Sequence, residues 1–278
     1  MWYNTIMKGD TMKTRTVKEK RFDIISLTDF HVPYEDQTAI QLAYAFCHWL
    51  QPEIIIVHEL HDFYAVSKFD KDPDRKENLQ DEIDQANKYL KELRRICPES
   101  RIILLKSNHT ERLRKYLWSK APELNSLRCL KLEELFELRK LNIEYKDCFM
   151  FRDFLFKHGN IVRQDSAYTA KGEFLKEGCS GASGHTHRLG MYFSTKRGGK
   201  YVWVESGCLC KTDASYIDGT ANWQQGFSLI SFQEKGKQFI PQIIPIIENS
   251  IMFGNRKFFI GGSYEKNTTT PKKRQTKS

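Results

Sequence analysis

A chain of 278 residues that is 40% hydrophobic, 28% charged and 13% aromatic, with only 8 prolines, excludes a disordered or collagen-like protein and suits one α/β domain or two small ones. Its apolar runs are too short for a bilayer, its N-terminal stretch lacks the apolar core of a secretory signal, and its 7 cysteines include no C-x-x-C pair, only Cys208-x-Cys210. A reduced, cytoplasmic protein with no membrane partner is expected. The net charge of +9 is terminal: residues 1–21 and 265–278 each carry +4, leaving +1 for the body. Residues 1–21 therefore read as a basic arm, 22–262 as the domain and 263–278 as a basic, disordered tail, solvated or recruiting phosphate.

In chain order, residues 22–28 form a short run rich in β-branched side chains, and 38–50 have helical spacing closed by Pro52. Residues 54–57 read as a buried strand, 76–96 as a long charged helix and 102–105 as a third strand. This alternation predicts βαβ units. A strand at 154–156 and a helix at 168–177 follow, then strands at 191–194, 201–205, 227–232 and 239–247. A parallel half followed by a more antiparallel half predicts an α/β fold of two packed mixed sheets with helices outside them.

Each of the first three strands runs into metal-competent side chains, where open α/β sheets place their sites. Asp29-Phe30-His31 follows the first, His58-Glu59-Leu60-His61-Asp62 the second and Asn108-His109 the third. His158-Gly159 and Gly184-His185-Thr186-His187 end two later runs. A single histidine is more often structural than a ligand, but six of the 8, counting His58 and leaving His48 and His61 aside, are candidates within these clusters.

The order Asp-x-His, a Gly-Asp-x-x-Asp-like segment, Asn-His, His-Gly and Gly-His-x-His strongly resembles the calcineurin-like metallophosphoesterases over roughly residues 22–207. The resemblance implies a four-layer αββα sandwich and two divalent metal ions, manganese first, with iron and zinc as alternatives. It implies that Asp29, His31 and His187 bind one ion, that Asn108, His158 and His185 bind the other, and that Glu59 bridges. His109 resembles the family's general acid, with Asp62 orienting its ring. The implied reaction is in-line attack on phosphorus by a metal-activated hydroxide.

The chain departs from the family pattern in three respects. His58-Glu59 replaces Gly-Asp, which lengthens the bridge and adds an imidazole that either supplements or crowds a metal. Ser107 replaces the glycine before Asn-His, and the acid after that pair is displaced to Glu111. Phe63 and Lys106 occupy positions that are arginines in the phosphoprotein phosphatase branch, leaving Lys106 as the substrate-binding candidate. Losing a bidentate clamp disfavours dianionic monoesters more than singly charged diesters. A phosphodiesterase or nuclease acting on DNA, RNA or nucleotides therefore leads, ahead of a phosphomonoesterase and of an impaired, nucleic-acid-binding relative. Aromatic residues of segment 62–69 with Trp203, Tyr216 and Trp223 are candidates for stacking bases, and Asp62-Phe63-Tyr64 resembles compact phosphoesterases carried by phages.

Overall fold

Ile24 and Ile25 point to opposite sides of one strand and both are fully buried, so that strand must lie inside a sheet covered on both faces. A computed structural model of the chain, describing residues 20–71, 78–213 and 220–260, shows how this is achieved. The arm up to residue 19, the tail from 261, Tyr216 and the first two residues of the helix predicted at 76–96 lie outside the described residues.

Strand β1 (Arg21–Leu27) pairs in parallel with β2 (Ile54–Val57), β2 with β3 (Arg101–Leu105), and β3 with β4 (Ile143–Lys146). The crossovers are helices α1 (Gln37–Leu50) and α2 (Leu79–Ile96). Asp36 caps α1 by accepting from the Ala39 N–H, and Asn78 with Asp81 forms a capping box on α2. Two more helices, α3 (Thr110–Lys120) and α4 (Leu132–Leu135), lie between β3 and β4.

A second sheet holds β5 (Phe149–Phe151), β6 (Phe154–Phe156), β7 (Ser180–Ser183), β8 (Leu189–Lys196) and β9 (Gly199–Ser206), ordered β5-β6-β7-β9-β8. Helix α5 (Tyr168–Glu177) connects β6 to β7. The chain then returns to the first sheet, where β10 (Gly226–Gln233) runs antiparallel to β1 and β11 (Phe239–Pro245) antiparallel to β10. A hairpin of β12 (Ser250–Phe253) and β13 (Arg256–Phe259) ends the described chain.

The alternation of β2 separates the layers: Ile55 and Val57 pack with Phe46 and Leu90 of the helices, while Ile54 and Ile56 pack with Phe154 and Val204 of the second sheet. A third cluster of Leu155, Ala170, Phe174 and Trp203 joins the second sheet to α5. The result is the expected α/β arrangement of two mixed sheets flanked by helices. The alternating pattern missed β7, whose sequence Ser-Gly-Ala-Ser has little strand propensity. Small residues are required there, since a Cβ on Gly181 would lie 2.6 Å from the Leu155 carbonyl and the Trp203 ring. Trp203 is fully buried with Nε1 donating to Ser183 Oγ at 3.0 Å, so it packs in the core and drops out as a base-stacking candidate.

Candidate metal centre

Parallel strands bring their carboxyl ends to one edge of a sheet, so the loops after β1, β2 and β3 become neighbours. Phe30 N–H and Val32 N–H donate to the carbonyls of Glu59 and Leu60 at 2.9 and 3.1 Å, locking the first two loops side by side. The second sheet faces them with His158 after β6 and His185 and His187 after β7. Asp29, His31, His185 and His187 have φ of 52°, 52°, 74° and 58°. Left-handed backbone at a residue other than glycine costs on the order of 1–3 kcal/mol and concentrates where a site dictates the geometry. Gly184 completes the seam: a Cβ there would lie 2.5 Å from Asp29 Oδ2, which instead accepts the His185 N–H at 2.9 Å.

The structure brings the seven sequence-predicted ligands together. Asp29 Oδ1 is buried without a hydrogen-bond partner, and ring nitrogens of His31, His187 and His158 stand around it at 4.0, 3.9 and 3.8 Å. His31 Nε2 and His187 Nε2 face each other at 2.9 Å. The Glu59 carboxylate spans the centre, with Oε1 2.8 Å from His31 Nε2 and Oε2 3.0 Å from His158 Nε2. His158 Nε2 lies 2.9 Å from Asn108 Oδ1, and the His185 ring stands edge-on to that of His158, with centroids 5.1 Å apart. An orphaned carboxylate oxygen ringed by imidazoles, and a second carboxylate shared between two donor sets, fit a pair of divalent cations.

His58 stands beside this centre, its ring centroid 6.4 Å from that of His158. It follows the inward-facing Ile54 and Ile56, is fully buried, and sets Nε2 2.8 Å from Ser26 Oγ between the two sheets. His58→Gly leaves a void and breaks that pairing, and is expected to lower stability by about 2–5 kcal/mol in urea unfolding. A loss below about 1 kcal/mol would show that the surroundings collapse onto the site.

Burial dominates the electrostatics. It pushes the Asp29 carboxyl up to about 6, with His158 pulling the other way. Burial is the largest influence on His31 and His158 and opposes their charging, yet the carboxylates around them together outweigh it, Glu59 with Asp62 and Asp29 at His31 and Glu59 with Asp29 at His158, and raise both rings. His187 and His185 stay neutral, driven down by burial, His185 to about 4. In the metal-free protein the Asp29 proton stabilises the fold fully below pH 3.8 and is lost as pH rises through about 6, leaving an unpaired buried charge. A divalent cation replaces that proton, so its effect must grow with pH. Manganese is expected to raise the melting temperature by about 5–10 °C at about pH 7.5 and much less at about pH 5. Equal shifts at both pH values would contradict cation binding at Asp29.

His109 stands just before α3, beside the ligands. Its Nδ1 lies 3.0 Å from Asp62 Oδ1, and the same oxygen lies 3.4 Å from His31 Nδ1, so one carboxylate orients two rings. Burial opposes the ionisation of Asp62, but hydrogen bonds from His109 and His31 hold it well below the ordinary carboxylate range. Burial lowers His109 itself. Ser107, where the family has glycine, accepts the N–H groups of His109 and Thr110 at 3.2 Å each and so starts the helix.

Arg112 is the residue that the sequence reading missed. It lines the cavity at the site, donating through Nη1 to the Asp62 carbonyl and Oδ2 at 2.7 and 3.1 Å, and places Nη2 2.8 Å from His109 Nε2. The signal was its spacing: three residues after His109 on a helix start, the two share a face. Lys106 pairs instead with Glu111 and Asp147 at 3.5 and 3.6 Å, and is not among the cavity-lining residues. The cavity, about 590 Å³, is walled by Tyr34, Tyr64, Phe69 and Trp223, while Phe63 is buried in the helix-side core. His61, also buried, packs against Phe63 and Phe136, and burial drives it down to about 3.

Among the described residues no helix is long and apolar enough to cross a membrane. No protein-family model matches the chain. A solved structure of Vps29 from Chaetomium thermophilum aligns over 85% of this chain and 97% of that one, with a TM-score of 0.43 and 11% identity. Over 241 residues the chain is 26% identical to the gene 54 protein of Mycobacterium phage L5 and 28% identical to that of Mycobacterium phage D29, covering 81% of this chain and 93% of each phage protein. Along most of its length, this chain is thus similar to two mycobacteriophage proteins.

Proposed function

We propose that this protein is a calcineurin-like, metal-dependent phosphoesterase that hydrolyses phosphodiesters of nucleic acid or nucleotides. The observation that carries this reading is the Glu59 carboxylate, whose two oxygens face separate donor sets at 2.8 and 3.0 Å beside the orphaned Asp29 Oδ1. Asp29, His31 and His187 would hold one divalent ion and Asn108, His158 and His185 a second, with Glu59 common to both sets, and the ions would supply Lewis acidity for water and phosphoryl oxygens.

The chain's own residues then position the substrate and move a proton. A guanidinium only donates, so the contact from Arg112 Nη2 means that His109 Nε2 carries the lone pair and Nδ1 the proton, which faces Asp62 Oδ1 at 3.0 Å. A phosphoryl oxygen is a stronger acceptor than an imidazole and draws Arg112 away, freeing the Nε2 lone pair to take up the proton that the attacking water gives up and to pass it to the leaving oxygen. Among the described residues lining the cavity, Arg112 is the one arginine or lysine. One guanidinium matches a singly charged diester better than a dianionic monoester, which favours phosphodiesters over the phosphomonoesterase reading. The aromatic walls offer faces on which bases stack.

Arg112→Ala is expected to raise KM for a diester about 10- to 100-fold, the scale of a hydrogen bond to a charged group, with metal content unchanged. Comparing bis(p-nitrophenyl) phosphate with the p-nitrophenyl ester of thymidine 5′-phosphate tests the substrate class. Preference for the base-bearing ester supports nucleotide recognition, and preference for the simple diester opposes it.

A further inference from the structure

On the side of His187 turned away from His31 lie two thiols to which the proposed reaction gives no role. Cys208 and Cys210 are fully buried and unbridged. They follow β9 in a segment that the backbone holds fast: Leu209 N–H donates to the carbonyls of Thr28 and Asp29 at 3.0 and 3.1 Å, and Cys208 N–H to that of Gln224 at 3.2 Å. Leu209 is itself fully buried in the helix-side core, so the residue between the cysteines anchors both. Cys210 Sγ lies 3.9 Å from His187 Nδ1, and the two sulfurs and a His187 nitrogen all fall within 4.8 Å of one another.

We propose that Cys208, Cys210 and His187 Nδ1 form a second binding site, for a thiophilic cation of the zinc or cuprous class, sharing His187 with the Asp29 and His31 site. Tetrahedral zinc, with Zn–S about 2.3 Å and Zn–N about 2.0–2.1 Å, spaces sulfur and nitrogen about 3.6 Å apart, so Cys210 at 3.9 Å stands a few tenths of an ångström from that spacing, and Cys208 closes from within 4.8 Å. Two sulfurs and an imidazole form a soft donor set that manganese and magnesium bind poorly. On binding, two S–H bonds break, two metal–sulfur bonds form and two protons pass to solvent, with no change of oxidation state.

The consequence rests on the metal-centre reading, although the thiol site itself does not. With a soft ion on Nδ1, the ring proton of His187 occupies Nε2, the nitrogen that faces His31 at 2.9 Å. Occupancy of the thiol site therefore weakens the ion held by Asp29 and His31.

The test uses the full, reduced chain and cobalt(II) alone. Titration is expected to produce a near-ultraviolet sulfur-to-cobalt charge-transfer band that saturates at one ion per chain, disappears in Cys208→Ser and Cys210→Ser, and persists in Cys129→Ser with Cys148→Ser. A band of undiminished intensity in both serine variants, or no band in excess cobalt, overturns the site. Should the serine variants fail to fold, X-ray absorption of the wild-type chain with one equivalent of zinc decides: two sulfur neighbours at about 2.3 Å support the site, and nitrogen and oxygen neighbours only overturn it. Manganese binding followed separately by electron paramagnetic resonance distinguishes failure here from failure of the metal-centre reading, because loss of either signal leaves the other standing.

Discussion

His109→Ala is expected to slow diester hydrolysis by about 10²–10⁴-fold, the usual contribution of a general acid, while metal content stays unchanged. Its ring is held by Asp62 at 3.0 Å and presents Nε2 to Arg112 at 2.8 Å, a geometry suited to moving a proton. The defect should shrink with a p-nitrophenolate leaving group, which needs little protonation, and grow with an alkoxide such as a sugar hydroxyl. His31, Asp62 and His109 also lie close enough together to hold an ion themselves. Metal analysis of His109→Ala therefore decides between acid and ligand: a site emptied of metal would make His109 a ligand and leave the reaction without this acid.

Glu59→Ala should abolish diester hydrolysis and weaken metal binding by at least about 100-fold, more than the loss of an outer-shell partner usually costs. Burial opposes the Glu59 charge, yet His109, His31 and His158 together hold its carboxyl well below the ordinary range. One carboxylate thus organises three rings that otherwise have no common counter-charge. Glu59→Gln keeps the volume, loses the charge and should bind metal as poorly as Glu59→Ala. Glu59→Asp restores the residue usual in the family and should retain measurable activity. If Glu59→Ala left both ion stoichiometry and rate unchanged, the centre would be a relic without metal function. His58 has no part in this test, since it packs toward Ser26 and its replacement acts on stability.

The signals legible in the sequence were those with period and position. Residues 54–57 and 102–105 read as buried strands because every residue is apolar, which requires cover on both faces, and the ligand clusters read as a site because they follow such strands. Helix α3 was illegible because only Leu113 and Leu117 mark its apolar face among charged neighbours, and that hid Arg112 one turn beyond Asn108. Trp203 and Trp223 look alike in sequence, yet one lies on β9 and packs under α5 while the other lies in the loop before β10, its ring centroid 4.1 Å from that of His187. The meeting of Cys210 with His187 depends on the loop after β9 crossing the ends of β1 and β7, a long-range contact that local spacing does not encode.

The most direct test of a two-ion phosphodiesterase is metal analysis of the purified full chain, coupled to parallel hydrolysis of bis(p-nitrophenyl) phosphate and p-nitrophenyl phosphate with manganese added. Two ions per chain, with the diester hydrolysed faster than the monoester, is the predicted result. Fewer than two ions at saturating manganese, with neither ester hydrolysed, would contradict it.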